Sequence, residues 1–188
     1  MYGQVKKCKT QLEIDQNFLK DCDQNFHDRK KASKYFVERG WDYFYSSKMD
    51  TAMMRFNQAW LLDSLNADVY WGFGNLVGVQ KKYKVSIALF NKSIQLNGGN
   101  AKVWEGKAIS FGQLFFETKQ ASYLNRSVEC LRTAIQLDPN NTRFYAALTS
   151  AYSYYNQKDS AAKYLKITDK LDSKAVTPDI RKIIMQGR

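Results

Sequence analysis

Proline and histidine are scarce in this 188-residue chain, which contains two prolines, Pro139 and Pro178, and one histidine, His27. Because proline breaks helix interiors, so few prolines favour long helices joined by short turns. A single histidine leaves little scope for general acid–base chemistry. A nucleophile motif and a glycine-rich phosphate loop are also missing, so neither an enzyme nor a bound cofactor is expected.

Cysteine occurs three times, at Cys8, Cys22 and Cys130, with spacings that match no zinc-binding pattern. No metal site is therefore expected. Two alternatives remain open for Cys8 and Cys22, which could form a disulfide in an oxidising compartment or remain ordinary thiols in the cytosol.

Long apolar runs are absent too, and no stretch approaches the roughly 18 residues that a membrane-spanning helix needs. No intact signal peptide is visible. The polar start Met1–Gln4 nevertheless resembles the remainder left when an export signal is missing. An exported or periplasmic location is therefore a hypothesis, with the cytoplasm as the alternative.

Charge is plentiful but biased, with 29 lysines and arginines against 18 acidic residues and a formal net charge of +11. A basic balance raises the prospect of a polyanionic partner. The basic residues are scattered, however, and no nucleic-acid fold signature accompanies them, so solvated helix faces are the simpler interpretation and nucleic acid is unlikely. The densest basic runs are at 6–9, 29–31 and 81–84.

The sequence repeats with a constant step, which is the same from Gly40 to Gly74 as from Phe56 to Phe90. Periods of about 34 residues are typical of arrays of helical hairpins. Further pairs at this step are Tyr43 and Val77, Leu62 and Leu96, Tyr70 and Trp104, Gly74 and Ala108, and Val77 and Phe111.

These positions resemble the repeat of the tetratricopeptide family, in which two antiparallel helices approach closely at small residues and large residues fill the gaps beside them. Each hairpin leaves one apolar face open for the next to cover. The matching positions are Phe36, Gly40, Tyr43, Ala52, Phe56 and Ala59; Tyr70, Gly74, Val77, Ser86, Phe90 and Ser93; Trp104, Ala108, Phe111, Ser127, Leu131 and Ala134; and Tyr145, Thr149, Tyr152, Ala161, Leu165 and Thr168.

The resemblance implies an all-α fold, a right-handed superhelix of about four helical hairpins with an extra N-terminal helix and a C-terminal capping helix. We expect an N-terminal segment at 1–31, the array at 32–174 and the cap at 175–188. The four repeats are expected at about 33–66, 67–100, 101–141 and 142–174.

The third repeat is longer than the others, because the interval from Trp104 to Tyr145 exceeds the common step by seven residues. The extra residues lie near 112–126, which indicates either a lengthened turn or extended helices. Nothing in this stretch resembles a ligand set, so a tolerated insertion is slightly favoured over a functional one.

Both ends of the chain show helical patterns. Within residues 11–31, Ile14, Phe18, Cys22 and Phe26 follow one another in steps of four, which predicts a leading helix. Residues 177–179 read Thr-Pro-Asp, a helix start, and an apolar stripe follows it. We expect this terminal helix, with Ile180, Ile183 and Ile184, to cover the last hairpin.

In the tetratricopeptide family the first helix of each hairpin lines a concave groove. Trp41 and Trp71 would lie there, where exposed aromatics suit the binding of a peptide. Packing against a neighbouring helix is the alternative for both. The residues that the resemblance places on this groove are Lys34, Val37, Trp41, Phe44, Asp68, Trp71, Asn75, Gly78, Lys102, Glu105, Ile109, Arg143 and Ala146.

The resemblance implies a protein-interaction module or scaffold that binds a peptide or a partner protein of unknown identity. Some family members bind acidic chaperone tails through a clamp of Lys, Asn and Arg. Of the matching positions here only Lys102 fits, and the frame moved on by one repeat is also incomplete, so that activity is not expected. The positions of the second frame are Trp71, Asn75, Gly106, Arg143 and Ala147. The alternatives are a helical repeat that binds polyanions, and a structural subunit that associates with copies of itself as a homo-oligomer.

Overall fold

The computed structural model describes residues 6–155 and 157–186. The described residues form α-helices and no strands, which confirms the all-α prediction. The polar start Met1–Gln4 lies outside them. The helices are α1 (Lys9–Phe26), α2 (Arg29–Tyr45), α3 (Met49–Leu62), α4 (Ala67–Val79), α5 (Tyr83–Leu96), α6 (Ala101–Thr118), α7 (Ala121–Leu137), α8 (Thr142–Tyr154), α9 (Lys158–Leu171) and α10 (Pro178–Met185).

The chain divides into two compact units, Met1–Asn97 and Gly98–Arg188. The first unit holds α1–α5 and the second holds α6–α10. The division falls in the turn after α5, three residues before the predicted end of the second repeat at residue 100. Each unit contains two of the four expected hairpins, which are α2–α3 and α4–α5 in the first and α6–α7 and α8–α9 in the second.

The first helix of each hairpin begins at a side-chain cap. In α4, α6 and α8 the cap is an asparagine whose side-chain oxygen accepts a hydrogen bond from the backbone N–H two residues later. Asp28 does the same for α2. Such caps satisfy one of the N–H groups that a helix start leaves without a partner. The capping asparagines are Asn66, Asn100 and Asn141.

The large aromatic position near the start of each later repeat also has a polar function. In three repeats its side chain donates a hydrogen bond to the carbonyl six residues earlier, which ties the turn to the helix that follows. The first repeat has Phe36 there, which cannot donate. The three bonds join Tyr70 to Ser64 at 2.9 Å, Trp104 to Gly98 at 3.0 Å and Tyr145 to Pro139 at 2.9 Å.

Small residues face large ones where the helices of the first unit cross. A Cβ added at Gly40 in α2 or at Gly72 in α4 would lie 2.5 Å from Cε1 of Phe56, whose ring is fully buried in α3. Gly74 is related in the same way to Phe90 in α5, at 2.6 Å. The ring of Phe56 therefore fits between two helices because both present a glycine to it.

At several repeat positions that require a small residue the chain has serine rather than alanine, and the hydroxyl group has a structural role there. Their buried hydroxyls donate across the hairpin to carbonyl oxygens of the first helix. A buried hydroxyl needs such a partner, since burying it unpaired costs free energy. The bonds run from Ser86 to Gly74 at 2.8 Å, from Ser93 to Ala67 at 2.9 Å and from Ser127 to Ala108 at 2.8 Å.

The extra residues of the third repeat lengthen its helices. α6 has 18 residues and α7 has 17, against 13 and 14 in α4 and α5. The turn between α6 and α7 is only Lys119 and Gln120, with Lys119 in the left-handed region at φ 58°. The insertion therefore lengthens α6 by more than one helical turn and α7 by almost one, and leaves their connection short.

Both terminal helices are present, but α1 ends at Phe26 and α2 already begins at Arg29, within the segment 1–31 that was expected to precede the array. His27, at φ 54°, ends α1, so the leading helix is separate from α2. At the other end α10 contacts α8 and α9, with Ile180 and Ile184 buried and Ile183 42% exposed. Arg181 in α10 contacts both carboxylate oxygens of Asp169 in α9, at 2.5 and 3.1 Å.

A disulfide between Cys8 and Cys22 is excluded by α1. Cys8 caps the start of this helix, and Cys22 lies nearly four helical turns further along it. At 1.5 Å per residue their Cα atoms are about 21 Å apart, against roughly 7 Å at most for a disulfide. Cys8, Cys22 and Cys130 are all free thiols.

Candidate functional site

In the first unit one of the predicted groove residues is buried. Val37 is buried in the core cluster of this unit, with only 6% exposure, because α1 adds Phe18 and Leu19 to the same cluster. Lys34 stays exposed, whereas Phe44, Asp68, Trp71, Asn75 and Gly78 are half-buried.

Trp41 and Trp71 lie against each other, with ring centroids 4.2 Å apart. Trp41 also contacts the buried Phe56 at 5.4 Å and packs against the core. Its indole N–H is buried and has no hydrogen-bond partner among the described residues. Packing rather than a polar contact holds Trp41, which favours the packing interpretation for this side chain.

In the second unit the structure brings predicted groove residues of two different repeats together. Nη2 of Arg143 in α8 lies 3.1 Å from Oε1 of Glu105 in α6. The Glu105 side chain is only 11% exposed, whereas that of Arg143 is 76% exposed. Burial raises the pKa of Glu105, and the positive charges of Arg143 and Lys102 partly offset this effect.

A second contact joins the same two helices at the other end. The rings of Phe116 in α6 and Tyr154 in α8 meet edge to face, with centroids 4.9 Å apart. Eleven residues separate Glu105 from Phe116, and eleven separate Arg143 from Tyr154. The helices therefore run parallel and in register, and the two contacts bound a trough about 16 Å long.

Between these contacts the trough contains a hollow of about 190 Å³. Ala108 and Gly112 of α6 form one wall, Ala147 and Ala151 of α8 form the other, and α7 provides the floor. Ile109, which is 50% exposed, lies on the rim. The floor residues are Leu124, Ser127 and Leu131.

The hollow exists because the side chains around it are small. The repeat positions that hold Trp41 and Phe44 in the first unit hold Ile109 and Gly112 in the second. At Gly112 an added Cβ would meet only Oγ of Ser127, at 3.8 Å, so even this position has room for a side chain. Aromatic side chains therefore occupy these two positions in the first unit, and smaller side chains occupy them around the hollow.

Sequence reasoning found one end of this trough and missed the rest. Glu105, Ile109 and Arg143 were predicted, but the residues further along both helices were not. The missed residues continue the same faces of α6 and α8 at helical spacing. Extending the predicted stripes through the inserted residues would have found Phe116, and only the structure shows which side chains leave a hollow. The missed residues of α6 and α8 that line the hollow are Ala108, Gly112, Gln113, Phe116, Ala147, Ser150, Ala151 and Tyr154.

No group of three or more His, Cys, Asp or Glu residues that could hold a metal ion occurs in the part of the chain that the structure describes. Among the same residues, none of the helices is both long and apolar enough to span a membrane.

Solved structures share this fold at low sequence identity. PilF of Pseudomonas aeruginosa matches with a TM-score of 0.70 and 17% identity, over 84% of this chain and 68% of that one. YrrB, a tetratricopeptide protein with an unusual peptide-binding site, matches with a TM-score of 0.63 and 19% identity, over 82% and 74%. The first tetratricopeptide domain of Spaghetti, solved with an HSP90 peptide, matches with a TM-score of 0.59 and 19% identity, over 70% and 98%.

The chain therefore has the fold of the tetratricopeptide repeat proteins, as its repeating step predicted. Neither a protein-family profile nor a curated protein sequence matches it.

Proposed function

We propose that this protein is an interaction module that binds a segment of a partner protein in the trough between α6 and α8. The observation that carries the proposal is the hollow between Glu105–Arg143 and Phe116–Tyr154. Apolar side chains line most of it, and its rim is open to solvent at Ile109. A concave, apolar site with a few polar groups at its edge is typical of ligand binding.

The size of the hollow favours a side chain as its occupant over a free small molecule. At about 190 Å³ it is smaller than the pockets of small-molecule ligands, which range over roughly 300–1,000 Å³. The trough of about 16 Å matches about five residues of extended chain at ~3.3 Å each. A partner segment could thus lie along the trough and anchor one apolar side chain in the hollow.

The solved relatives support a role in protein binding. YrrB has a peptide-binding site and the Spaghetti domain was solved with a bound peptide. At 19% identity these likenesses concern the fold, so the position of the site on this chain depends on its own residues. The small residues around the hollow support the position proposed here.

Selection from a random peptide library displayed on phage would test the proposal without knowledge of the partner. We expect enriched peptides whose binding to the purified protein is lost in Gly112→Leu, because the new side chain occupies the hollow. Gly106→Leu is the matched control, since Gly106 lies in the same helix and does not line the hollow. Melting temperatures of both variants separate lost binding from lost structure.

Failure to enrich any peptide would contradict the proposal. It would equally be contradicted by enriched peptides that bind Gly112→Leu as tightly as the wild type, because their site would then lie elsewhere.

A further inference from the structure

We propose that the trough selects a partner segment in which an apolar side chain lies one or two residues from a carboxylate, and that Glu105 holds Arg143 until that carboxylate replaces it. This inference rests on the proposed function, since it names the chemistry of the segment bound at the same site. The bulky apolar side chain enters the hollow, and the partner's carboxylate lies at Arg143.

Arg143 has the geometry to receive a carboxylate from a partner. Its contact with Glu105 uses one guanidinium nitrogen, Nη2, and 76% of the side chain stays exposed. A guanidinium group has five donors in a planar fork that matches a carboxylate. Arg143 can therefore bind a partner's carboxylate from the solvent side of the trough in place of that of Glu105.

Positive charge predominates at this end of the trough. Lys102 is exposed one turn before Glu105 on α6, and its positive charge acts on the Glu105 carboxyl. Lys102 and Arg143 thus flank the nearly buried Glu105 carboxylate. Asp138, which accepts a hydrogen bond from Asn141 at the start of α8, lies behind them. α6 and α8 also both begin here, so their macrodipoles add positive potential. An anionic group on the partner is favoured at this end, and a cationic group is disfavoured.

The distance from the charged end to the hollow sets the spacing in the partner. Glu105 and Arg143 each precede a residue that lines the hollow, Ile109 and Ala147, by one helical turn. One turn is about 5.4 Å, which lies between one and two residues of extended chain at roughly 3.3 Å each. The carboxylate should therefore stand one or two residues from the anchored side chain. The opposite end is closed by the rings of Phe116 and Tyr154, which offer no comparable partner for an anion.

Glu105 has a separate effect in the absence of a partner. Its carboxylate neutralises Arg143, so a cation is not left alone beside an apolar hollow. Because the Glu105 side chain is 11% exposed, water solvates its charge poorly, and protonation or a local shift relieves this cost when another carboxylate takes Arg143. Glu105 thus competes with the partner's carboxylate for Arg143 and lowers the affinity of the trough for acidic segments.

Fluorescence polarisation with synthetic peptides tests this inference. A host octapeptide is made with Leu or Ala at the anchor position and with Asp, Asn or Lys at each of the next two positions in turn. We expect the Leu–Asp peptides to bind most tightly, with Asp exceeding Asn by about two- to fivefold at low salt and by less at high salt. Lys should weaken binding.

Substitutions at Arg143, Glu105 and Gly112 show which residue causes each peptide preference. Arg143→Gln should remove most of the preference for Asp over Asn, leaving only the part due to Lys102 and the helix N-termini, and keep the preference for Leu over Ala. Glu105→Gln should tighten binding of the Asp peptides about two- to fivefold, because it removes the internal competitor. Gly112→Leu should abolish the preference for Leu over Ala. The double variant Glu105→Gln/Arg143→Gln serves as the neutral control, and melting temperatures verify that each variant is folded.

The outcomes distinguish failure of this inference from failure of the proposed function. Binding that prefers Leu to Ala but does not distinguish Asp from Asn would overturn this inference and leave the proposed function in place. An acidic preference that is undiminished in Arg143→Gln would also overturn it. Absence of binding by every peptide, together with failure of the unbiased selection, would overturn both.

Discussion

Substitution of Gly40 by alanine tests the packing that shapes the first unit. The added Cβ would lie 2.5 Å from Cε1 and 2.7 Å from Cδ1 of Phe56. The ring cannot move away, because Gly72 approaches the same Cε1 atom from α4 at the same hypothetical distance of 2.5 Å. Relief of the contact therefore requires a shift of α2 or α4 within a close-packed core.

Two terms of opposite sign set the expected magnitude. Overpacking of a core typically costs about 1–3 kcal/mol, and the fixed ring places this site at the upper end. Alanine is favoured over glycine within a helix by about 1 kcal/mol. We therefore expect Gly40→Ala to lower the free energy of unfolding of the first unit by about 2 kcal/mol.

Urea denaturation followed by tryptophan fluorescence is the assay. Trp41, Trp60 and Trp71 all lie in the first unit, so the signal reports mainly on the unit that carries the substitution. Phe56→Leu in the Gly40→Ala background should recover part of the loss, because the smaller side chain removes the clash. Double-mutant analysis would then give a coupling between the two positions.

Gly112→Ala is the matched control, since its Cβ would meet only Oγ of Ser127 at 3.8 Å. Without overpacking, the helix preference should dominate and stabilise the second unit by about 0.5–1 kcal/mol, measured by circular dichroism. The reasoning would be refuted if Gly40→Ala were as stable as the wild type, or if the two alanines had effects of the same sign.

Three further substitutions test other contacts. Ser86→Ala should lower the free energy of unfolding by about 1 kcal/mol in urea titrations, because it removes the buried hydrogen bond to Gly74, and an unchanged midpoint would contradict this. A hydrogen bond from Arg181 lowers the pKa of Asp169. Their contact therefore stabilises the fold at pH values above the ordinary pKa of Asp, and this stabilisation is lost as pH falls through the lowered pKa. Arg181→Gln should therefore lower the melting temperature at pH 7 and lessen its acid dependence. Burial raises the pKa of Glu105, so ionisation of this group lowers the stability of the fold as pH rises from the ordinary pKa of Glu towards the raised value. Over that range, the melting temperature of Glu105→Gln should rise relative to that of the wild type.

The hairpins were predictable from the sequence because their packing depends on residue size at fixed steps. Gly40 and Gly74, with Phe56 and Phe90, recur at the common step and contact one another as small and large partners. Polar details were less predictable, because periodicity treats serine as a small residue. That the hydroxyl of Ser127 must reach the carbonyl of Ala108 depends on the approach of two helices.

Errors in the candidate site have physical causes as well. Val37 falls on the expected stripe, but α1 contributes Phe18 and Leu19 to the core in which Val37 is buried. A periodic pattern assigns faces and does not show which helix covers them. The hollow was missed because it results from side chains that are small relative to their surroundings, and only the spacing of α6 and α8 reveals such a space.

A partner segment in the trough of the second unit is the central expectation, and methyl-resolved NMR of the protein with a selected peptide tests it most directly. Peptide binding should shift the methyl signals of Ile109, Leu124 and Leu131, which line the hollow, and leave Leu76 in the core of the first unit unchanged. Binding that leaves these three signals unchanged, or shifts only methyls of the first unit, would contradict it.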